Sequence, residues 1–236
     1  MSTKAAPTGA NHFVKMFSNP ELVARYADGP RRNVPGFDDL HRMTGILLAE
    51  HAPLSAKVLV LGAGGGLELK ALAQSYPGWT FVGVDPSAQM LELAARTLGP
   101  MATRAELVQG YIEDAPTGPF DAAVCLLTLH FLSSADRRRT VREIHTRLKP
   151  GAPLVVAHGS FPQAEGERAV WLSRYSAFAI ASGVDPEQAG KAREAVSATV
   201  NMLSPEEDET ILREAGFLDV SLFYAAFTWR GWIAHA

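Results

Sequence analysis

The sequence is poor in cysteine and has no long apolar run. Its 236 residues contain one cysteine, Cys125, which excludes an internal disulfide framework and predicts a reducing, cytoplasmic compartment. It has no stretch of 18 or more apolar residues, and the first twenty residues lack the apolar core of a signal peptide. We therefore expect no membrane partner.

The sequence also lacks an excess of charge of either sign. Its formal net charge is −3, so no overall attraction to the phosphates of a nucleic acid is expected. A run of three arginines, 137–139, lies in a polar segment that predicts a helix, and we interpret it as a solvated helix face. These features favour a small-molecule partner over a nucleic acid.

Glycines are concentrated in one short segment, and the rest of the chain is organised around it. The leucine- and valine-rich run Val58–Leu61 meets a glycine cluster and then residues that favour helix, which predicts a buried strand, a tight turn and a helix start. Glycine allows positive φ and a close approach of a ligand to the backbone, and the free N–H groups of the helix N-terminus face that ligand. The pattern predicts a nucleotide-binding turn, with a glycine turn that binds no ligand as the alternative.

The spacing of the glycines distinguishes between nucleotides. The dinucleotide fingerprint GxGxxG fits Gly62 and Gly64 but requires a third glycine where this chain has Leu67. The third glycine is Gly66 instead, and Asp85 follows at the end of the next predicted strand. This arrangement resembles the class I S-adenosylmethionine-dependent methyltransferases. The resemblance implies that S-adenosyl-L-methionine is the cofactor, that the turn holds its methionine part and that Asp85 holds its ribose hydroxyls; the alternative for Asp85 is a helix cap.

The alternation of apolar runs and helical patterns predicts an α/β fold with a doubly wound, mostly parallel, seven-stranded sheet. The C-terminal segment resembles the antiparallel hairpin that closes the methyltransferase sheet. We expect a mobile tail at 1–10 and a single domain at 11–236. A helical preamble is predicted at 11–52, with short helices from Asn11 to about Tyr26 and a helix to about His51 that Asp38 or Asp39 caps. Two amphipathic patterns within 160–204 exceed the single crossover helix that this layout needs, and we interpret them as a helical cap over the carboxyl ends of the strands.

Ligands bind beyond the carboxyl ends of the strands in an open α/β sheet, so the residues that follow each strand are the candidates. The predicted cofactor-binding residues are Gly62, Ala63, Gly64, Gly66, Asp85, Pro86, Tyr111, Ile112 and Leu126. Two positions depart from the family. Tyr111 replaces an acidic residue near the adenine, and Val60 replaces an acidic residue of strand one, which removes one possible anchor for the cofactor ammonium.

Residues that contact the acceptor are predicted at the same end of the sheet. His130 and His158 follow strands four and five and are candidate general bases, with a structural role as the alternative for each. The substrate candidates are Phe37, Trp171, Tyr175 and Arg193. Packing of the cap onto the domain is the alternative explanation of the cap aromatics. No metal site is predicted.

Several segments narrow the resemblance to one branch of the family. Residues 31–37 (RRNVPGF), 126–132 (LLTLHFL) and 148–156 (LKPGAPLVV) resemble, in order and spacing, the carboxy-S-adenosylmethionine synthases. Members of that branch convert S-adenosylmethionine and prephenate into carboxy-S-adenosylmethionine, serve tRNA wobble-uridine modification, and bind the extra carboxylate with a cap arginine. This chain departs from them at Phe37 and Leu126, where the branch has tyrosine and asparagine, and Arg193 matches the arginine only with insertions.

These observations favour an S-adenosylmethionine-dependent methyltransferase acting on a small-molecule acceptor. The first alternative is a carboxy-S-adenosylmethionine synthase-like enzyme. The alternatives from other classes are an NAD(P)-dependent oxidoreductase and a non-catalytic cofactor-binding protein. Relatives with a similar cap often pair, so we also expect a homodimer.

Overall fold

The computed structural model describes residues 28–236. The tail expected at 1–10 and the short helices expected between 11 and 26 lie outside the described residues. Over 28–236, no helix combines the length and the apolar character that crossing a membrane requires.

The centre of the fold is one seven-stranded sheet in the order β3-β2-β1-β4-β5-β7-β6. Neighbouring strands among β1 to β5 are parallel, and β7 is antiparallel to both β5 and β6. The strands are β1 Lys57–Leu61, β2 Thr80–Asp85, β3 Ala105–Gln109, β4 Ala122–Leu126, β5 Pro153–Gly159, β6 Leu218–Ala226 and β7 Trp229–His235. The predicted doubly wound fold with a closing hairpin is confirmed.

Eight α-helices surround the sheet in the described part of the chain. They are α1 Asp28–Asn33, α2 Phe37–Ala49, α3 Leu67–Ser75, α4 Ala88–Leu98, α5 Ser134–Arg147, α6 Glu167–Ala181, α7 Pro186–Thr199 and α8 Pro205–Glu214. Short 3₁₀ turns follow α4, β3 and β4, at Gly99–Arg104, Ile112–Asp114 and Leu129–Phe131. The run Val58–Leu61 forms β1, and the two amphipathic patterns predicted within 160–204 as a cap form α6 and α7.

The start of α2 differs from the prediction. We expected Asp38 or Asp39 to cap this helix, but it begins at Phe37 after Gly36, which has φ 67° and provides no side-chain cap. The Asp38 carboxylate instead pairs with the Arg31 guanidinium at 2.9 Å. Glycine takes this left-handed conformation without the steric cost that a Cβ would add.

The interpretation of the arginine run as a solvated face is wrong for Arg137. This side chain is fully buried, and its guanidinium donates hydrogen bonds to the Leu129 carbonyl at 3.1 Å and the Asn201 carbonyl at 2.6 Å. It also pairs with the buried Asp208 carboxylate at 2.5 Å. Arg137 therefore fastens the turn after β4 and the segment after α7 to the body of the domain.

Candidate active site

A cavity of about 710 Å³ lies at the carboxyl ends of the strands. Its lining comes from the loops after β1 to β4, from α1 and α2, from the helices α6 and α7, and from the hairpin. The volume falls in the range of about 300–1,000 Å³ that small-molecule sites occupy. The cavity is therefore large enough for a cofactor and a small second molecule.

The glycine turn forms one wall of the cavity through Gly62 and Gly64. Gly62 has φ +77°, and a Cβ on it would lie 2.0 Å from the Thr128 Oγ1. The Thr128 hydroxyl itself donates a hydrogen bond to the Leu126 carbonyl at 2.9 Å. The backbone conformation and the neighbouring turn after β4 thus both require glycine at position 62.

Asp85 ends β2 and lines the cavity beside the glycine turn. Its Oδ2 accepts a hydrogen bond from the Gly64 N–H at 2.9 Å, and its Oδ1 accepts one from the Ser87 N–H at 2.9 Å. Burial raises the pKa of the Asp85 carboxyl, while these two backbone donors lower it. Ser87, not Asp85, caps α4, because its Oγ accepts from the Met90 N–H. Each carboxylate oxygen of Asp85 keeps a lone pair for a ligand.

The structure brings most of the predicted cofactor residues together. The cavity lining includes Gly62, Gly64, Asp85, Pro86, Tyr111, Ile112 and Leu126. Ala63 and Gly66 are not part of it. The Ala63 side chain packs in the apolar core, and Gly66 is the N-cap of α3, with φ +79° and with Ala94 2.8 Å from where a Cβ would lie. These two residues shape the turn from behind the cavity.

Glu68 lines the cavity and was not among the predicted residues. It lies in the first turn of α3 and is only 8% exposed, and its Oε1 has no hydrogen-bond partner in residues 28–236. Burial raises the pKa of the Glu68 carboxyl well above its ordinary value, and the nearby Asp85 raises it further. The signal in the sequence was its position four residues before Leu72, which places it on the buried side of α3.

The charges of the lining are of one sign. Glu68 and Asp85 are the acidic residues of the lining, and no lysine or arginine contributes to it within the described part of the chain. Burial of a charged group without a counter-charge is unfavourable, so this cavity suits a ligand with positive charge next to the acids.

His130 lines the cavity from the turn after β4. Its Nδ1 accepts a hydrogen bond from the Gly159 N–H at 3.4 Å, which assigns the ring proton to Nε2. Burial lowers the pKa of His130 well below its ordinary value, and the nearby His158 and Arg137 lower it further. The imidazole is therefore neutral near pH 7 and presents an N–H donor.

His158 does not line the cavity among the described residues. Its Nε2 lies 3.2 Å from the Asp208 Oδ1 and its ring packs 5.4 Å from that of Trp232. Because side chains alternate along a strand, His158 shares the face of β5 that carries Val156 in the apolar core. The His158 ring therefore does not face the cavity, whereas we expected it to face the acceptor.

The cap contributes apolar and small side chains to the cavity. Of the substrate candidates, Phe37 and Tyr175 are in the lining, whereas Trp171 and Arg193 are not. Two guanidinium groups lie over the Trp171 ring, with the Cζ of Arg174 at 4.5 Å and that of Arg230 at 5.3 Å from its centroid. The exposed Arg193 is on another face of α7 from the residues that meet the cavity, which are Ala192, Ala195, Val196 and Thr199.

The hairpin of β6 and β7 binds the end of α1 and the segment that joins it to α2, which form the N-terminal wall of the cavity. The Trp229 indole N–H donates a hydrogen bond to the Asn33 carbonyl at 2.9 Å, and the Tyr224 hydroxyl donates one to the Pro35 carbonyl at 2.6 Å. Trp229 also lines the cavity, with its ring 5.6 Å from that of His130 and 6.5 Å from that of Tyr175. An aromatic and apolar compartment therefore adjoins the His130 donor.

Comparison with known proteins gives a matching family model and relatives of similar sequence. A family model described as a methyltransferase domain matches residues 58–151. A carboxy-S-adenosyl-L-methionine synthase from Chromohalobacter salexigens is 31% identical over 221 residues, which cover 91% of this chain and 81% of that relative.

Solved structures show the same fold at low identity. A magnesium protoporphyrin IX methyltransferase from Synechocystis PCC 6803, crystallised with bound SAH, has a TM-score of 0.68 at 14% identity, with 95% of this chain and 99% of that chain covered. Human N-acetylserotonin methyltransferase, crystallised with SAM, has a TM-score of 0.57 at 16% identity and covers 94% of this chain. This chain spans 61% of that longer protein.

Proposed function

We propose that this chain transfers a methyl group to a small, largely apolar acceptor. The premise is that it belongs to the carboxy-S-adenosyl-L-methionine synthase family of S-adenosylmethionine-dependent methyltransferases. The family relationship gives the enzyme class and the cofactor. The chemistry of the transferred group and of the acceptor is our inference from the cavity.

The residues present fit S-adenosylmethionine. Gly62 and Gly64 line the cavity with positive φ angles of 77° and 48°, and Asp85 has free lone pairs for two neighbouring ribose hydroxyls. Ile112 and Tyr111 offer apolar surfaces for an adenine ring beyond β3. When bound, this cofactor supplies an electrophilic methyl group on its sulfonium.

The charge of the lining is the observation that carries the proposal. Glu68 and Asp85 suit the positive charge of S-adenosylmethionine, whereas the additional carboxylate of carboxy-S-adenosylmethionine would need a cation. No lysine or arginine of residues 28–236 lines the cavity, and Arg193 lies outside the lining. The site therefore favours ordinary methyl transfer.

The chain's own residues position the acceptor and exclude water. Methyl transfer requires mainly orientation and a water-poor site. Phe37, Tyr175 and Trp229 form the apolar compartment, and the His130 Nε2–H is available as a hydrogen-bond donor to an oxygen of the acceptor. His130 is thus proposed to orient the acceptor and not to take its proton.

Synthesis of carboxy-S-adenosylmethionine is the second candidate function. It is favoured by the 31% identity to a protein of that name, over most of both chains. In that case a cation must reach the cavity from outside the described lining. The two candidates differ in the mass of the product formed from S-adenosylmethionine and prephenate, because only the synthase yields the carboxylated cofactor.

Native mass spectrometry of the purified protein, followed by denaturation, tests the proposal. We expect to find S-adenosylmethionine or its demethylated product. A carried ligand heavier by a carboxylate would favour the synthase, and NAD would overturn the methyltransferase assignment. If nothing is carried, incubation with S-adenosylmethionine and prephenate must leave both unconverted for the proposal to stand.

The assembly and the location are also proposals. We infer that two copies pair, because relatives with a similar cap often do. Light scattering after size exclusion would overturn this inference with a mass near the 25.4 kDa of one chain. The single, buried Cys125 supports a cytoplasmic location, and the net charge of −3 supports a small molecule over a nucleic acid as partner.

A further inference from the structure

Glu68 is a buried carboxyl group, and its Oε1 has no hydrogen-bond partner among residues 28–236. That oxygen is shielded from solvent, and the side chain lines the cavity. An unpaired buried polar group lowers the stability of the fold, and a charged one lowers it more. A group of this kind is explained if a ligand completes its interactions.

Among residues 28–236, the charge that acts on Glu68 is that of another acid and not a counter-charge. Asp85, whose charge acts on Glu68, is itself acidic. Burial raises the pKa of the Cys125 thiol, and the nearby Glu68 raises it further. The α3 N-terminus, where Glu68 lies, favours a negative charge but only partly offsets the burial. The missing partner is therefore a cation that enters from the cavity.

S-Adenosylmethionine carries two cations, the sulfonium and the α-ammonium of its methionine part. Methyl transfer neutralises the sulfonium, so a carboxylate against it would stabilise the reactant more than the transition state. The charge of the ammonium does not change during the reaction. A carboxylate beside the glycine turn is thus compatible with catalysis when it contacts the ammonium.

We propose that Glu68 binds the α-ammonium of the cofactor and supplies the anchor that is absent at Val60. Val60 is fully buried in the apolar core and does not line the cavity, whereas Glu68 does. The acidic residue of this chain thus lies in the first turn of α3 and not in β1. This inference rests on the proposed function only in requiring that the cofactor is bound.

Titration calorimetry with two ligands tests the assignment. One is S-adenosylhomocysteine, which has the ammonium and no sulfonium, and the other is its deaminated analogue, 5′-(3-carboxypropylthio)-5′-deoxyadenosine. We expect the Glu68→Gln variant to bind S-adenosylhomocysteine about tenfold or more weakly than the wild type, as for the loss of a hydrogen bond between charged groups. Its affinity for the deaminated analogue is expected to stay within about threefold of the wild-type value.

Two further variants make the result specific. Asp85→Ala is expected to weaken the binding of both ligands equally, because both contain the ribose. Glu68→Asp keeps the charge and is expected to retain part of the preference for the ammonium. Thermal melting of each variant shows that it is folded, and Glu68→Gln is expected to melt no lower than the wild type because Oε1 has no partner to lose.

The outcomes separate this inference from the proposed function. If Glu68→Gln keeps its affinity for both ligands, or loses affinity for both to the same extent, Glu68 does not bind the ammonium although the cofactor is bound. If the wild type binds both ligands equally, the ammonium has no anchor and the inference also fails. If the wild type binds neither, the proposed function itself is overturned.

Discussion

The Asp85 carboxylate accepts a hydrogen bond of 2.9 Å from the backbone N–H of Gly64. This bond joins the loop after β2 to the glycine turn after β1, so the two parts of the predicted cofactor site hold each other in position. A second bond from the Ser87 N–H fixes the other oxygen of the same carboxylate. The carboxylate is thereby oriented before any ligand arrives, which lowers the entropy lost on binding.

Replacement of Asp85 by alanine tests its role toward the ribose. We expect Asp85→Ala to weaken S-adenosylmethionine binding by about tenfold or more, because two hydroxyls lose a charged acceptor. Calorimetric titration measures the affinity, and Glu106→Gln, an exposed acid on β3, is the matched control that keeps it. Unchanged affinity in a folded Asp85→Ala protein would refute the ribose role.

Replacement of Gly62 by alanine tests the close approach in the glycine turn. A Cβ there meets the Thr128 side chain at 2.0 Å and is held at φ +77°. Gly151 has the same φ of +77° with nothing within 4 Å, so Gly151→Ala reports the conformational cost alone, about 1–2 kcal/mol. We expect Gly62→Ala to lower the free energy of unfolding by more than Gly151→Ala, and to weaken cofactor binding as well. If urea unfolding shows the same loss in free energy of unfolding for both variants, the contact with Thr128 does not affect stability.

The buried pair of Arg137 and Asp208 predicts a dependence of stability on pH. Burial alone would raise the pKa of Asp208, but the adjacent His158 and Arg137 lower it to about 2, below its ordinary value of 3.8. The charged carboxylate thus stabilises the fold above about pH 4, and this contribution is lost as the pH falls toward 2.

We expect Asp208→Asn to lower the free energy of unfolding by about 3–5 kcal/mol at pH 7, because it leaves the buried Arg137 charge unpaired. The difference from the wild type should shrink below pH 4. Urea unfolding at several pH values measures it, with Glu187→Gln, from an exposed pair with Lys191, as a control that changes little. A difference that stays constant down to pH 2.5 would contradict the assigned pKa direction.

Nuclear magnetic resonance can measure whether the His130 imidazole is neutral. Because its Nδ1 accepts from the Gly159 N–H and burial lowers its pKa, we expect the Nε2–H tautomer with no titration between pH 5.5 and 8. The ¹⁵N shifts of the ring report both properties, and His130→Gln identifies the signal. An imidazolium at pH 6 would contradict this account and return His130 to the role of an acid or base.

The sequence was sufficient for the sheet, the glycine turn and Asp85, because these depend on local signals. Apolar runs, turn residues and glycine spacing act within a few neighbours, so the strand predicted from the run Val58–Leu61 is observed as β1, Lys57–Leu61. The position of a ligand at the carboxyl ends of the strands follows from topology. Most of the predicted cofactor residues accordingly line the cavity.

The remaining residues depend on packing that the sequence does not specify locally. Every residue of β5 is buried, so no alternation showed which face His158 takes. The rotation of α7 turns Ala192 toward the cavity and Arg193 away from it. Arg137 did carry a signal, because it shares helical spacing with the buried Val141 and Ile144, but its charge argued for solvent.

The comparison of affinities for S-adenosylmethionine and carboxy-S-adenosylmethionine tests the central claim most directly. Parallel calorimetric titrations of the wild-type protein are sufficient, since the two ligands differ only by a carboxylate on the transferable carbon. We predict that S-adenosylmethionine binds about tenfold or more tightly, because the described cavity lining contains two acids and no lysine or arginine. Tighter binding of carboxy-S-adenosylmethionine would contradict methyl transfer and establish a cation in the pocket.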